Sequence, residues 1–370
     1  MRPSLGPPLA VVPAAGNFRR MPTRFSLRGR RRRGREQGPD REEGPALVDP
    51  LSLRGDFDRA TLPWLDDALA AVDEYVRSLG GDAPSGYDLR EQLLSWIQHG
   101  FAVLPGAVDV ELVDAYLADV GELFSKREAP TMLNLAPYGE RPINTLSAAD
   151  LETPALRIMD FHNQSIAGKK LALDATIVDF LGHVFRETVV CMQTLTFIHG
   201  TQQGAHQDYA FVVAGIPSHL AAAWIALEDV HPDAGPLGYY PGSHTIRKFD
   251  FGDGLFLTPQ SRRNEADFLE HIERECRARG LEERTFTARK GDVFLWHAAL
   301  AHSGTPVRDP SRTRKSLVAH YSTAPAYPAD RRDPSVKPVE HRLNGGIVYA
   351  DPLRVDAEDS FGRGADVPAA

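Results

Sequence analysis

The sequence predicts an α+β fold in which helices come first and pack on a β jelly roll. Apolar residues recur at helical spacing up to about residue 186. From about Thr188 the pattern changes to short β-branched and aromatic runs separated by turn signals. Strands gathered after a helical part point to one sandwich or barrel carrying those helices, and away from alternating βαβ units.

Residues 1–47 come first and are rich in Arg, Pro and Gly, with Arg30-Arg31-Arg32-Arg33 at their centre. They lack the apolar content to bury a core and are expected to be disordered. No apolar stretch follows the arginines, so a signal peptide is not expected. A transit peptide, a true start at Met21 or later, and contact with anionic surfaces stay open. Trp64, Leu65, Leu69, Val72, Tyr75, Val76 and Leu79 then share a helical face ended by Gly80-Gly81. Leu89, Leu93, Leu94, Trp96 and Ile97 make a second face, stopped by Gly100, and Phe101-Ala102-Val103-Leu104-Pro105 reads as a strand. A third helix is expected over Asp109 to Phe124, with Asp109 as its cap.

Residues 126–160 show weak periodicity and several prolines, so a long binding loop is expected there. Leu171 to Phe185 reads as one further helix. Strands are expected at 189–199, 206–213, 219–227, 237–240, 285–288, 292–297 and 315–321, with an exposed charged helix over 260–280. The organisation is therefore a leader of 1–47, a single domain over 48–350 (helical part 60–186, jelly-roll core 188–322) and a fraying tail of 351–370.

Composition narrows the function. There are 370 residues, 42% hydrophobic and 25% charged, as in a soluble globular chain. No apolar run reaches 18 residues, so no membrane span is expected. Residues 1–35 hold ten Arg and no acid, leaving the rest with 32 basic against 50 acidic groups, a net of −18. That acidic body argues against nucleic acid as the main partner. Cys191 and Cys276 are the two cysteines, too few for a disulfide framework or a Cys-based zinc site, and in keeping with a reducing, cytoplasmic setting. Nothing in the sequence marks an oligomeric state.

The chemistry-bearing stretch is Gly204-Ala205-His206-Gln207-Asp208-Tyr209-Ala210-Phe211-Val212-Val213. Alternate residues of a strand share a face, so His206 and Asp208 can aim an imidazole and a carboxylate at one point. With 13 His in the chain, a His-x-Asp pair arises about once by chance. His231-Pro232-Asp233 is such a pair, and its proline and the following Ala234-Gly235-Pro236 mark it as a turn. A third ligand is sought near Val293-Phe294-Leu295-Trp296-His297 or at Ala301-His302-Ser303. His302 precedes Ser303-Gly304-Thr305-Pro306 at a strand end, while His297 can equally be a core histidine. Two His and one carboxylate on one face, with other positions free, form the facial triad of non-haem Fe(II) oxygenases. Arg314 opens the strand-like 315–321 run, where a buried guanidinium calls for a carboxylate; Arg312 competes for that role.

From about Tyr87 to Tyr321 the chain resembles the phytanoyl-CoA dioxygenase family of Fe(II)/2-oxoglutarate-dependent oxygenases. Five blocks match in order: Gly100-Phe101-Ala102-Val103-Leu104-Pro105-Gly106, Gln202 to Asp208, Ala223 to Asp229, Pro241-Gly242-Ser243-His244, and Gly291-Asp292 through His302 to Arg314. The resemblance implies a double-stranded β-helix, cupin-like core. It implies His206, Asp208 and His302 as Fe(II) ligands and Arg314 as partner of the distal carboxylate of 2-oxoglutarate. Gln207, Trp224 and Gln193 would line the cosubstrate pocket. This chain has Ser303 then Gly304 where the family usually has Gly then Ser, so the hydroxyl contact to 2-oxoglutarate would come from Ser303 or Thr305, or be absent. On six-coordinate Fe(II) the protein would fill three positions and 2-oxoglutarate two, leaving one for O2. The carboxylate of Asp208 implies hydroxylation or desaturation over halogenation, with release of succinate and CO2. Competing readings are a differently metallated jelly-roll enzyme and a non-catalytic jelly-roll binding protein; neither needs Arg314. Specificity is expected from 126–165 and from Leu343-Asn344-Gly345-Gly346, with Phe161, His162, Tyr209 and Phe211 as candidate pocket residues.

Overall fold

The computed structural model describes residues 56–67, 71–80, 86–127, 132–135, 139–154, 156–328 and 340–349. The expected leader and tail lie outside them. Helix α1 spans Val72–Ser78, α2 Leu89–His99 and α3 Val110–Lys126. A 3-10 turn at Trp64–Asp67 precedes α1, so the first helical face is split in two. Asp88 and Asp109 cap α2 and α3, accepting from Glu91 N and Glu111 N at 3.0 and 2.8 Å. Such caps contribute about 1 kcal/mol each. Gly100 ends α2 at φ 81°, and a Cβ there would sit 2.6 Å from His244 Nδ1. Only glycine meets both conditions.

The strands are β1 (Phe101–Leu104), β2 (Met132–Leu135), β3 (Gly139–Pro142), β4 (Leu156–Met159), β5 (Val189–Phe197), β6 (Leu220–Ala226) and β7 (Leu237–Tyr239). They continue as β8 (Arg284–Phe286), β9 (Val293–His297), β10 (His302–Gly304), β11 (Ser316–Thr323), β12 (Glu340–Leu343) and β13 (Gly346–Tyr349). A large sheet runs β1-β9-β6-β11-β5-β4-β2-β3, with β13 parallel to β5 and β12 paired to β13; a small sheet runs β10-β7-β8. The pairings other than β13–β5 are antiparallel.

The two faces of the large sheet separate by residue parity, as strand geometry requires. Ala221, Ala223, Ile225, Val293, Leu295, Leu317 and Ala319 pack with α2, α3 and the later helices in one core. Ala222, Trp224, Ala226, Phe294, Trp296 and Val318 pack with Leu237 and Tyr239 of the small sheet in another. Helices outside and a facing sheet inside make the jelly roll. No helix among the described residues is long and apolar enough to cross a membrane.

Three expectations need correction. The loop over 126–160 instead carries β2, β3, the short helix α4 (Ala148–Leu151) and β4, which extend the large sheet. The part over 60–186 is therefore not purely helical. Its strands were hidden because they are four residues long and interrupted by turns, too short for a period to register. The helix over Leu171–Phe185 is two helices, α5 (Ile166–Ala172) and α6 (Ala175–Phe185). Asp174 sits between them in extended backbone and accepts from Thr176 N at 2.9 Å, capping a new helix and ending the old one. The charged stretch over 260–280 is a helix, α7 (Glu265–Ala278), but not a wholly exposed one: Phe268, His271, Ile272 and Cys276 are buried.

Candidate active site

His206 and Asp208 converge, though not on the expected strand of 206–213. His206 forms a single bridge with His302, each backbone N–H donating to the other's carbonyl at 3.0 Å. Gln207 is extended, and Asp208–Ala210 is already a 3-10 turn, with Phe211 N and Val212 N donating to Asp208 O. Three extended residues suffice to turn positions 206 and 208 to one side. The apolar run beyond them reads like a strand because it is buried against Phe57, Phe249 and Phe268.

The same bridge delivers His302. Strand β9 ends at His297, residues 298–301 turn, and β10 begins at His302. Ala301 N donates to Ser243 Oγ at 2.8 Å and Tyr240 N to Ala301 O at 2.9 Å, so the Pro241-Gly242-Ser243-His244 turn holds the approach to His302. A Cβ on Gly304 would lie 2.5 Å from Thr201 Oγ1, which explains glycine there.

His206, Asp208 and His302 form a group of candidate metal ligands whose donor atoms all lie within 4.8 Å of one another. His206 Nε2 and His302 Nε2 are 3.7 and 3.5 Å from Asp208 Oδ1. Each Nδ1 faces a carbonyl two residues back, Gly204 O at 2.9 Å and Leu300 O at 3.0 Å. A carbonyl only accepts, so Nδ1 carries the hydrogen and Nε2 offers its lone pair to the common point. Burial, then the neighbouring His302, pushes the His206 imidazole down to about 3, which leaves it neutral, as a metal ligand must be.

The other oxygen of Asp208 is held from behind. Trp296 Nε1 donates to Oδ2 at 2.7 Å, and His320 Nε2 lies 3.3 Å from it. Gln193 Nε2 stands 3.2 Å from His320 Nδ1, so the amide donates there and the His320 Nε2–H points at the carboxylate. Burial alone would raise the Asp208 carboxyl; His302, His320 and His206 outweigh it and hold it below the usual carboxylate range. At this level the β11–β5 register shifts between His320 and Tyr321, a bulge beside the site.

The cavity between the two sheets holds about 1030 Å³ of empty space, its open mouth included. Arg314 lines it, 3% exposed, with Nη1 on Gly235 O at 3.3 Å and Nε without a hydrogen-bond partner. Burial pulls its pKa down to about 10. No carboxylate of the described residues pairs with it. A buried guanidinium with a free donor, opening on a cavity, fits an incoming carboxylate. Two imidazole nitrogens and one carboxylate oxygen likewise fit Fe(II).

Gln193, Trp224 and Ser303 also line the cavity. Gln207 and Thr305 do not: the Gln207 amide donates to Ala299 O and Ser243 O, tying the two ligand segments together, and Thr305 Oγ1 donates to Pro236 O. The Ser303 hydroxyl donates to Glu283. His297 stands outside the cavity, 3.3 Å from Asp66 Oδ2, as a core histidine. His231 and Asp233 stay together in an exposed turn, and Arg312 pairs with Asp309 at 2.9 Å on the surface. Of Phe161, His162, Tyr209 and Phe211, only Phe211 reaches the cavity. The β12–β13 hairpin does not reach it either, whereas Asn134, Arg157 and Met159 from the 126–165 region do.

Sequence reasoning missed Trp296, His320 and Arg157. His320 was findable, since Ser316, Val318 and His320 share one face of β11 and continue the alternation that starts at Arg314 just before it. Trp296 was not, because β9 is buried on both faces and shows no alternation.

The family model for phytanoyl-CoA dioxygenase (PhyH) matches residues 96–316. Solved structures similar to this chain include the epimerase SnoN from nogalamycin biosynthesis in complex with Fe3+, alpha ketoglutarate and nogalamycin RO. It is 18% identical over 71% of this chain and 98% of its own, with TM-score 0.48. The carbocyclase SnoK of the same biosynthesis is 17% identical over 66% of this chain and 85% of its own, with TM-score 0.47. EctD from S. alaskensis with 2-oxoglutarate and 5-hydroxyectoine is 19% identical over 69% and 83%, with TM-score 0.47. No curated protein matches.

Proposed function

This chain belongs to the phytanoyl-CoA dioxygenase family, and from that premise we propose that it is an Fe(II)- and 2-oxoglutarate-dependent dioxygenase. It hydroxylates, or otherwise oxidises, an unactivated C–H bond of a small-molecule substrate and releases succinate and CO2. The observation that carries this reading is the pairing, in one cavity, of the His206–Asp208–His302 cluster with a buried Arg314 that has no carboxylate partner among the described residues. Neither competing reading accounts for that cation. Residues 48–350 act as one domain in this reading, supported by β1 to β4 joining the same sheet as the later strands.

His206 Nε2, Asp208 Oδ1 and His302 Nε2 would hold Fe(II). When bound, the metal would let O2, the oxidant, act on the substrate at the cost of two electrons from 2-oxoglutarate, which leaves as succinate and CO2; in a hydroxylation one oxygen atom of O2 would end in succinate and the other in the substrate. The chain's own residues do the rest. Gly204 O and Leu300 O keep both histidines in the tautomer with the proton on Nδ1 and the lone pair on Nε2. Trp296 and His320 hold Asp208 so that one oxygen stays turned to the histidines. Arg314 binds the distal carboxylate of 2-oxoglutarate, and burial strengthens that pair by excluding water. Trp224 and Val318 wall the cosubstrate in.

The test is succinate formation from 2-oxoglutarate by protein supplied with Fe(II), ascorbate and air. Turnover lost in His206→Ala supports the reading. Absence of succinate, together with absence of 2-oxoglutarate binding by the Fe(II) protein, would remove it in favour of a binding protein.

A further inference from the structure

A second guanidinium lines the cavity, and the proposed cofactor chemistry does not use it. Arg157 stands on β4 opposite Phe197 of β5, which pairs in turn with Ser316 of β11. Strands about 4.8 Å apart place some 10 Å of sheet between the strand of Arg157 and that of Arg314. Arg157 and Met159 alternate inward from β4, beside Leu195 and Phe197.

The contacts of Arg157 do not satisfy its charge. Nη2 donates to Gln203 Oε1 at 3.2 Å, and the guanidinium lies over the Phe197 ring, 5.8 Å from its centroid. It makes no ion pair with a described carboxylate. Glu265, at the start of α7, acts on it only through space. Burial lowers the Arg157 pKa and keeps the Glu265 carboxyl above its ordinary range, as expected of two groups that do not pair. Asp208 is the acidic side chain of the lining, and its oxygens already have partners.

2-Oxoglutarate brings two carboxylates. In the reading above the distal one would go to Arg314 and the other end of the molecule would face the metal. Arg157 is left lining the cavity with Nη2 on Gln203 and with Nη1 and Nε making no hydrogen bond to the described residues, donors that a carboxylate can take in two-point contact. A lone guanidinium neutralises one charge, so a monoanion fits better than a phosphate dianion, whose second charge would be partly buried without compensation. Asn134, cross-strand from Arg157, and Gln203 give the lining beside it a polar edge, and Met159, Leu195, Phe197, Phe211 and Val212 supply the apolar part of the lining.

Resting on the oxygenase reading, we propose that Arg157 is a specificity-determining residue that binds the carboxylate of the primary substrate, and that the substrate is a carboxylic acid with an apolar body. Arg157 sets which end of the molecule lies at the β4 side and so which carbon reaches the His206–Asp208–His302 cluster.

The test is anaerobic calorimetry on protein loaded with Fe(II) and 2-oxoglutarate, where no turnover occurs. The probes are butanoate, hexanoate, octanoate, benzoate and phenylacetate, each against its neutral amide, and phenyl phosphate. At least one acid should bind the wild type about tenfold or more tightly than its amide, the size of a charge-assisted pair. Arg157→Gln should erase that preference and Arg157→Lys keep part of it, both with 2-oxoglutarate affinity within twofold of wild type. The proposal is overturned if no acid outbinds its amide, or if the preference survives Arg157→Gln. It is also overturned if phenyl phosphate outbinds every acid, or if Arg157→Gln weakens 2-oxoglutarate itself tenfold, which would give Arg157 to the cosubstrate. Failure of the oxygenase reading shows separately, as a wild type that does not bind 2-oxoglutarate at all.

Discussion

Trp296→Phe isolates one hydrogen bond at the centre of the site. The indole Nε1 donates to Asp208 Oδ2 at 2.7 Å, and both residues are buried, 1% and 5% exposed. A hydrogen bond to a charged group contributes about 1.5–3 kcal/mol. Phenylalanine keeps an aromatic ring against His302, whose centroid is 4.7 Å away, but has no donor. Asp208 Oδ2 is then left with His320 alone at 3.3 Å, and the carboxylate is free to turn. Loss of such a supporting contact lowers metal affinity by roughly 10–100-fold, equivalent to about 1.4–2.7 kcal/mol. The assay is anaerobic titration of metal-free protein with Fe(II), or with Mn(II) as an air-stable substitute. Trp224→Phe is the matched control: Trp224 lines the same cavity and is equally buried, but its Nε1 has no partner. Metal affinity should fall in Trp296→Phe and hold within twofold in Trp224→Phe. Equal affinities in all three proteins, or equal losses in both variants, would refute the reasoning.

Two further predictions concern the cosubstrate and the fold. Arg314→Lys keeps a positive charge but loses the planar fork, so 2-oxoglutarate should bind at least about tenfold more weakly, with Fe(II) affinity unchanged; unchanged 2-oxoglutarate affinity would end the assignment. Burial, then the nearby His297, pushes the His244 imidazole down to about 3, while His244 Nε2 donates to Ile97 O at 3.0 Å. The unfolded chain protonates this group near pH 6.5, so the stability it contributes is complete above that pH and is lost as pH falls, by about 2 kcal/mol at pH 5. Denaturant unfolding of metal-free protein at pH 7.5 and pH 5 should show that loss reduced in His244→Gln; the same loss in both proteins would contradict the account.

The parts of the fold legible in the sequence are those where one physical signal dominates. Asp109 and Gly100 mark helix ends because a cap oxygen and a left-handed turn are local requirements that sequence alone can state. The central strands β5, β6, β9 and β11 are legible because they are long or wholly apolar. The short strands β2 to β4 are not, since their order comes from pairing with β5 and not from their own residues. At the site, His206, Asp208 and His302 are legible as residue types with a familiar spacing. Their convergence comes from the bridge between His206 and His302, nearly a hundred residues apart in the chain, which no local pattern encodes. The support behind Asp208, from Trp296 and His320 on two different strands, exists only once those strands are in register. Arg157 was invisible for the same reason: on an isolated four-residue run, an arginine reads as solvent-facing.

The central claim is that His206, Asp208 and His302 hold Fe(II) while Arg314 holds 2-oxoglutarate beside it. Visible absorption of the anaerobic protein tests both halves at once. Adding 2-oxoglutarate to the Fe(II) protein should produce a weak charge-transfer band. The band should be absent in His302→Ala at any 2-oxoglutarate concentration and, in Arg314→Lys, should appear only at much higher concentrations. A band that survives His302→Ala, or a wild type that binds both Fe(II) and 2-oxoglutarate without producing one, would contradict the account.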